Sequence, residues 1–322
     1  RQIAREALKA GAIGFSTGRS DVHRSADGEW TPSSEASSDE LEGIAGAFEG
    51  LGHGVIQAVN DFNYEREGDH FSGEWSIMER FARATKGRPF SMSLMQRDLA
   101  PNQWLRIIEE AERVKSEGLE MRLQTAPRGI GVTLGLQCTF HPFIGYPSYK
   151  KIAHLSLEER VRQMKDPAFK AQILTEKMER LAGDGTPIPP IADTLLGALD
   201  FVASKTFLLG DNPSYEQTAE NSVLSMAKQK GIQTLEMIYD LLLNDEGRAL
   251  LYFTMYNYTE MSFNNVLKMM QHPQSIMGLS DGGAHVGTVC DSSFPTYLLC
   301  FWTRDRTRGD KIELKEAIRK LT

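Results

Sequence analysis

The stretch SIMGLSDGGAHVGTVCDSSFP, residues 275–295, takes a short apolar run into an acid, two glycines and an imidazole. Asp and Gly build turns, because they supply positive φ and side-chain bonds to the backbone. The same residues also suit a catalytic carboxylate at a strand end, Asp281, with His285 beside it and with Gly282 and Gly283 letting backbone come close to the site. The choice rests on whether strands upstream end in the same way.

They do. GAIGFSTG (11–18), HGVIQAVNDF (53–62), RPFSMSLMQ (88–96) and LEMRLQTAPRG (119–129) are short apolar runs. Helical patterns alternate with them at 1–11, 37–52, 72–87 and 101–118, with Ser38 as the expected N-cap of the second. Such alternation is the mark of βαβ units and a parallel sheet. From Ile130 to Pro213 it breaks into an insert or lid with the segments HPF, GYPSYKKI and TPIPPIAD, and helical patterns return at 218–231, 234–245 and 261–273. No Gly-X-Gly-X-X-Gly or Gly-X-X-X-X-Gly-Lys-Ser/Thr motif supports a nucleotide-binding doubly wound sheet. Polar residues instead follow the apolar runs: Ser16, Thr17 and Arg19; Asn60 and Asp61; Gln96 and Arg97; Gln124 and Arg128; Asp281 and His285. A functional face at the strand C-termini is the plan of a (β/α)8 barrel, and we expect residues 1–322 to form such an α/β barrel in part.

Composition excludes other classes. The 322 residues are 41% hydrophobic and 25% charged, ordinary for a globular chain, and the net charge of -7 with no basic block argues against nucleic acid. No apolar stretch approaches the roughly 20 residues of a membrane-spanning helix. Three cysteines without Cys-X-X-Cys spacing indicate neither a disulfide framework nor a thiolate zinc site, which fits a reducing, cytoplasmic setting. The chain opens at Arg1 in mid-helix and reads as an excerpt of a longer protein.

NPSYEQTAENSVLSMAKQKGIQTLEMIYDLLLND (212–245), MSFNNVLKMMQHPQSIMGLSDGGAH (261–285) and REALKAGAIGFSTG (5–18) resemble the D-aminoacylase, or N-acyl-D-amino-acid deacylase, branch of the amidohydrolase superfamily. The resemblance implies a zinc-dependent barrel that hydrolyses the amide bond of a small N-acyl amino acid. It implies Asp281 as the strand-eight aspartate, a metal ligand that takes a proton from zinc-bound water and returns it to the leaving amine. The family's His-X-His is absent from this sequence, and Val59 and Leu94 or Met95 stand where its strand-five and strand-six histidines belong. Three readings follow: one zinc held by Asp281, His285 and an upstream His-X-His; a barrel that has lost catalysis and binds a ligand or partner; or a metal held by residues such as His23 or His141.

Arg128 directly follows a strand, where a guanidinium can clamp a substrate carboxylate or anchor a loop. His141, between Phe140 and Pro142, is either a packed loop residue or a pocket residue that meets substrate. A metal-free hydrolase would need paired acids across the barrel mouth, and Asp61 with Asp281 is the pair that the strand ends offer.

Overall fold

The computed structural model describes residues 1–322 apart from 21–22, 24, 26–28, 64–66, 183–187, 189–190 and 284–286. In chain order its strands are β1 (Gly14–Arg19), β2 (Val55–Asn60), β3 (Phe90–Leu94), β4 (Met121–Thr125), β5 (Ile130–Leu134), β6 (Thr206–Leu209), β7 (Leu250–Tyr256) and β8 (Ser275–Met277). Strands β1, β2, β3, β4 and β8 pair in that order as one parallel sheet. Each lies beside its predecessor, without the reversal of order that defines a doubly wound sheet. This is the winding of a barrel wall, and among the described residues it stays open, with β1 and β8 as its edges. Gly14 opens β1 because nothing larger fits: a Cβ there would stand 2.1 Å from the Val55 carbonyl oxygen.

Helices α1 (Gln2–Lys9), α2 (Ser38–Ala45), α3 (Phe71–Ala84) and α4 (Gln103–Ser116) alternate with the first four strands. In α3 the buried residues Phe71, Trp75, Met78 and Ala82 recur every three to four positions, and in α4 Trp104, Ile107, Ala111 and Val114 do the same. These stripes cover one side of the sheet, so β3, in mid-sheet, is buried along its whole length. The N-cap of α2 is Ser37 rather than Ser38: the Ser37 hydroxyl accepts from the Glu40 amide at 3.2 Å, while Ser38 turns to the Glu42 carboxylate. Ser37→Ala is therefore expected to lower stability by about 1 kcal/mol in urea unfolding, and Ser38→Ala by well under half of that.

The excursion expected over 130–213 runs further, to Tyr256, because β7 completes it. Strands β5, β7 and β6 form a second, antiparallel sheet in that order. It is packed by α5 (Pro147–Ile152), α6 (Leu157–Met164), α7 (Pro167–Thr175), α8 (Ile191–Gly197), α9 (Leu199–Ser204), α10 (Val223–Lys230) and α11 (Thr234–Leu242). Phe143, Ile173, Val202, Tyr239, Leu242 and Leu251 belong to a hydrophobic core separate from that of the parallel sheet. The chain thus leaves the barrel wall after β4, builds a unit with its own core, and returns through Asn257. That residue has φ of 66°, and its side-chain oxygen accepts from the Gln96 amide at 2.8 Å.

Candidate active site

The C-terminal ends of the parallel strands carry the polar residues that the sequence places there, and most of them are engaged with one another. After β1 and β2, the Arg19 guanidinium meets Glu74 of α3 with two bonds of 2.8 and 2.9 Å, and Asn60 donates to the same carboxylate at 3.1 Å. After β3, the buried Arg97 binds the Asn60 carbonyl at 3.0 Å, Gln103 at 3.0 Å and the Asp61 carboxylate at 3.3 Å. Ser20 donates to the other Asp61 oxygen. The Asp61 carboxylate is thus committed to a buried network, where it ties three strand ends together.

The β8 end differs. Met277 pairs with Thr125 of β4, so the segments after β4 and β8 leave the sheet at the same level. Leu279 and Asp281 both have positive φ, 63° and 30°, a conformation that costs a non-glycine residue about 1 kcal/mol. Two such residues within three positions mark a held turn of the kind that collects at functional sites. Asp281, Gly282 and Gly283 are exposed, and Gly283, at φ of 99°, takes a backbone shape that favours glycine. A Cβ on Gly282 would stand 3.3 Å from the Ser292 side chain, so this turn lies against the return segment of its own loop. His285, the second sequence candidate, lies outside the described residues.

That return segment carries Asp291, a residue to which sequence reasoning assigns no role. It is 1% exposed, and one carboxylate oxygen faces Arg128 at 3.4 Å while accepting no hydrogen bond from the described residues. Burial lifts its carboxyl to about 7, against the pull of Arg128 and with a further push from Asp281. Arg128 is fully buried and donates to the Gly129 carbonyl at 3.1 Å, the Tyr252 hydroxyl at 2.8 Å and the Cys290 carbonyl at 2.8 Å. Tyr215 and Phe294 lie against its guanidinium at 4.1 and 4.5 Å. The Arg128 Nη donors are engaged by Gly129, the antiparallel sheet and the β8 loop, its Nε has no partner among the described residues, and no part of the buried group is exposed. These contacts are those of the loop anchor, one of the two roles that the sequence allows.

His141 is likewise placed as a packed residue. It is 2% exposed, its Nδ1 accepts from the Phe143 amide at 3.2 Å, and its ring stands edge-on to Tyr149 at 4.5 Å. Burial, with Arg160 nearby, drops its pKa to about 3, so the imidazole is neutral at physiological pH. A ring so enclosed matches the packed loop residue, one of the two roles that the sequence allows.

Asp291 and His141 give opposite pH slopes. The folded state holds the Asp291 proton more tightly than the unfolded state does, so its contribution is present at low pH and is lost as pH rises from about 4 to about 7. His141 resists protonation when folded, so its contribution is present above the usual histidine range and is lost as pH falls toward about 3. The stability of Asp291→Asn relative to the native chain should accordingly rise by about 2–3 kcal/mol between about pH 5 and about pH 8. For His141→Asn, whose side-chain oxygen replaces the Nδ1 acceptor, the relative stability should rise as pH falls below about 6.5. Urea unfolding across this range checks both, and parallel curves for variant and native chain would contradict them.

No protein-family model matches the chain, and no curated protein sequence matches it. Among solved structures it is similar to D-aminoacylase, at 16% identity and a TM-score of 0.46, over 100% of this chain and 50% of that one. It is also similar to the N-acyl-D-glutamate deacylase of Bordetella bronchiseptica, solved with zinc and a phosphonate inhibitor, at 16% identity and a TM-score of 0.47 over the same shares. The chain spans about half the length of these proteins.

The donor set bears on zinc directly. Among the described residues no three His, Cys, Asp or Glu side chains gather where they could hold a metal ion. Leu94 and Met95 are buried apolar residues and Val59 is partly buried, so β2 and β3 end without the imidazoles that zinc takes as ligands. His23 and His141 do not replace them, the first being exposed in its loop and the second enclosed. The described residues therefore do not make a zinc site by themselves.

Proposed function

We propose that this chain is part of a hydrolase that cleaves the amide C–N bond of an N-acyl amino acid or a similar small amide, with Asp281 as its proton-transferring carboxylate. The observation that carries the reading is the β8 end: an exposed acid on a turn of positive φ, at the C-terminal edge of a parallel sheet wound strand by strand. A carboxylate in that place can take a proton from an attacking water and return it to the leaving amine. Gly282 and Gly283 leave the approach to it free of side chains. The Arg128–Asp291 pair beneath the loop holds the turn in position and touches no substrate. Zinc, as the resemblance implies, would bind Asp281 and His285 together with donors that the described residues do not supply.

The test is release of free amino acid from a panel of N-acyl-D- and N-acyl-L-amino acids by the full-length gene product, with zinc per chain measured by elemental analysis. Turnover with about one zinc per chain is the expected result. Absence of both turnover and zinc would favour the other reading, a barrel that binds a small ligand or partner without catalysis.

A further inference from the structure

Helices α8 and α9 leave a cavity of about 300 Å³ against β7 and the turn that follows β3. Leu99 of that turn, Ile191 and Leu195 of α8, Phe201 of α9, and Phe253 and Met255 of β7 form most of its wall. Such a volume lies at the lower end of the range for small-molecule pockets, which are mostly apolar with a few placed polar groups. Two features separate it from a packing gap. Helix α8 has no fully buried residue, and its Ile191 and Leu195, which face the cavity, are only half-buried. Leu99 and Phe201, two large apolar side chains on the wall, remain 69% and 43% exposed. Apolar surface is thus left accessible on this wall, at a cost that an apolar ligand would relieve.

Among the described residues the charged group on this wall is Asp98. Its carboxylate accepts from the Lys205 ammonium at 2.5 Å and from the Thr259 hydroxyl at 2.7 Å. Lys205 is 3% exposed and is not part of the wall, so the cavity meets the acidic side of the pair. A carboxylate has about four acceptor positions, and a further donor can be accommodated there, whereas a second anion is repelled.

We propose that this cavity binds an uncharged aliphatic chain ending in a hydrogen-bond donor, an alcohol or a primary amide, with the chain between α8 and β7 and the donor on Asp98. The site shares no wall residue with the Asp281 loop, and it stands whether or not the chain hydrolyses amides. Calorimetric titration of the whole protein with 1-hexanol, 1-octanol and sodium octanoate tests it. Saturable binding is expected, with affinity rising about fourfold per added methylene, which makes octanol about sixteenfold tighter than hexanol. Octanoate should bind at least about tenfold more weakly than octanol, because its head group faces Asp98. Leu195→Trp fills the cavity and Leu99→Asp places a charge on an already exposed wall position, and each should weaken octanol at least about tenfold while thermal unfolding stays cooperative. No saturation, octanoate binding as tight as octanol, or native affinity in both folded variants would overturn the proposal.

Discussion

Arg128→Ala is expected to lower folding stability by about 4 kcal/mol, the largest single effect on stability predicted for this chain. The guanidinium joins three parts of the molecule: the segment after β4, through the Gly129 carbonyl; the antiparallel sheet, through the Tyr252 hydroxyl; and the β8 loop, through the Cys290 carbonyl. Alanine would strip all three bonds and leave the buried Asp291 without its cation. At neutral pH that carboxyl would then stay protonated, since burial alone already lifts it. Arg128→Lys should recover only part of the loss, because one ammonium cannot reach three acceptors set around a planar fork. The double variant Arg128→Met/Asp291→Leu should be less destabilised than the sum of its single changes, since it removes the charge together with its partner. Urea unfolding of the native chain, Arg128→Ala, Arg128→Lys, Arg128→Met, Asp291→Leu and the double variant measures this. A loss below about 1 kcal/mol for Arg128→Ala, with substrate affinity reduced instead, would restore the substrate clamp that the sequence allowed.

Asp281→Asn should lower kcat for amide hydrolysis about a thousandfold in the full-length protein, while stability changes by less than about 0.5 kcal/mol. Asparagine keeps the shape of the side chain and accepts left-handed backbone, so the turn at φ of 30° survives the substitution. Because the side chain is exposed, its removal leaves no cavity and no stranded buried charge. The measurement is release of free amine by native and variant protein, alongside their unfolding curves. An equal rate in the variant would remove Asp281 from the chemistry and with it the proposed function. A loss of rate accompanied by loss of folding would instead give the residue a structural role.

Legibility in the sequence divided along the two sheets. The strands of the parallel sheet stand out as short apolar runs, the first four each a helix away from the next, and the polar residue after each run marks the end at which chemistry is carried. The antiparallel sheet is hidden for reasons of distance. Its central strand β7 pairs with β5, more than a hundred residues earlier, and with β6, which is four residues long. Leu250–Tyr256 follows the helix α11 closely, and a run of apolar and aromatic residues there is equally good as a continuing helix face. Nothing local says that it pairs with Ile130–Leu134 and extends the insert beyond Pro213.

The site divides in the same manner. Asp281 is visible because an acid followed by two glycines after an apolar run is a local pattern. Asp291 is not, because Cys-Asp-Ser-Ser has the composition of any surface turn, and only the fold of the loop against Arg128 buries it. Arg128 and His141 share that ambiguity: one residue type at one spacing can serve a substrate or a neighbouring loop, and burial decides between them.

By itself the sequence determined the strand–helix alternation, the parallel sheet and the polar edge at its C-terminal end, since these follow from periodicities of two and 3.6 residues read over a few positions. Only the tertiary structure decided which polar residues stay open to solvent. Burial, ion pairing and the shift of the Asp291 carboxyl arise from side chains far apart in the chain, and the free energy of each group is set by those neighbours rather than by its own identity.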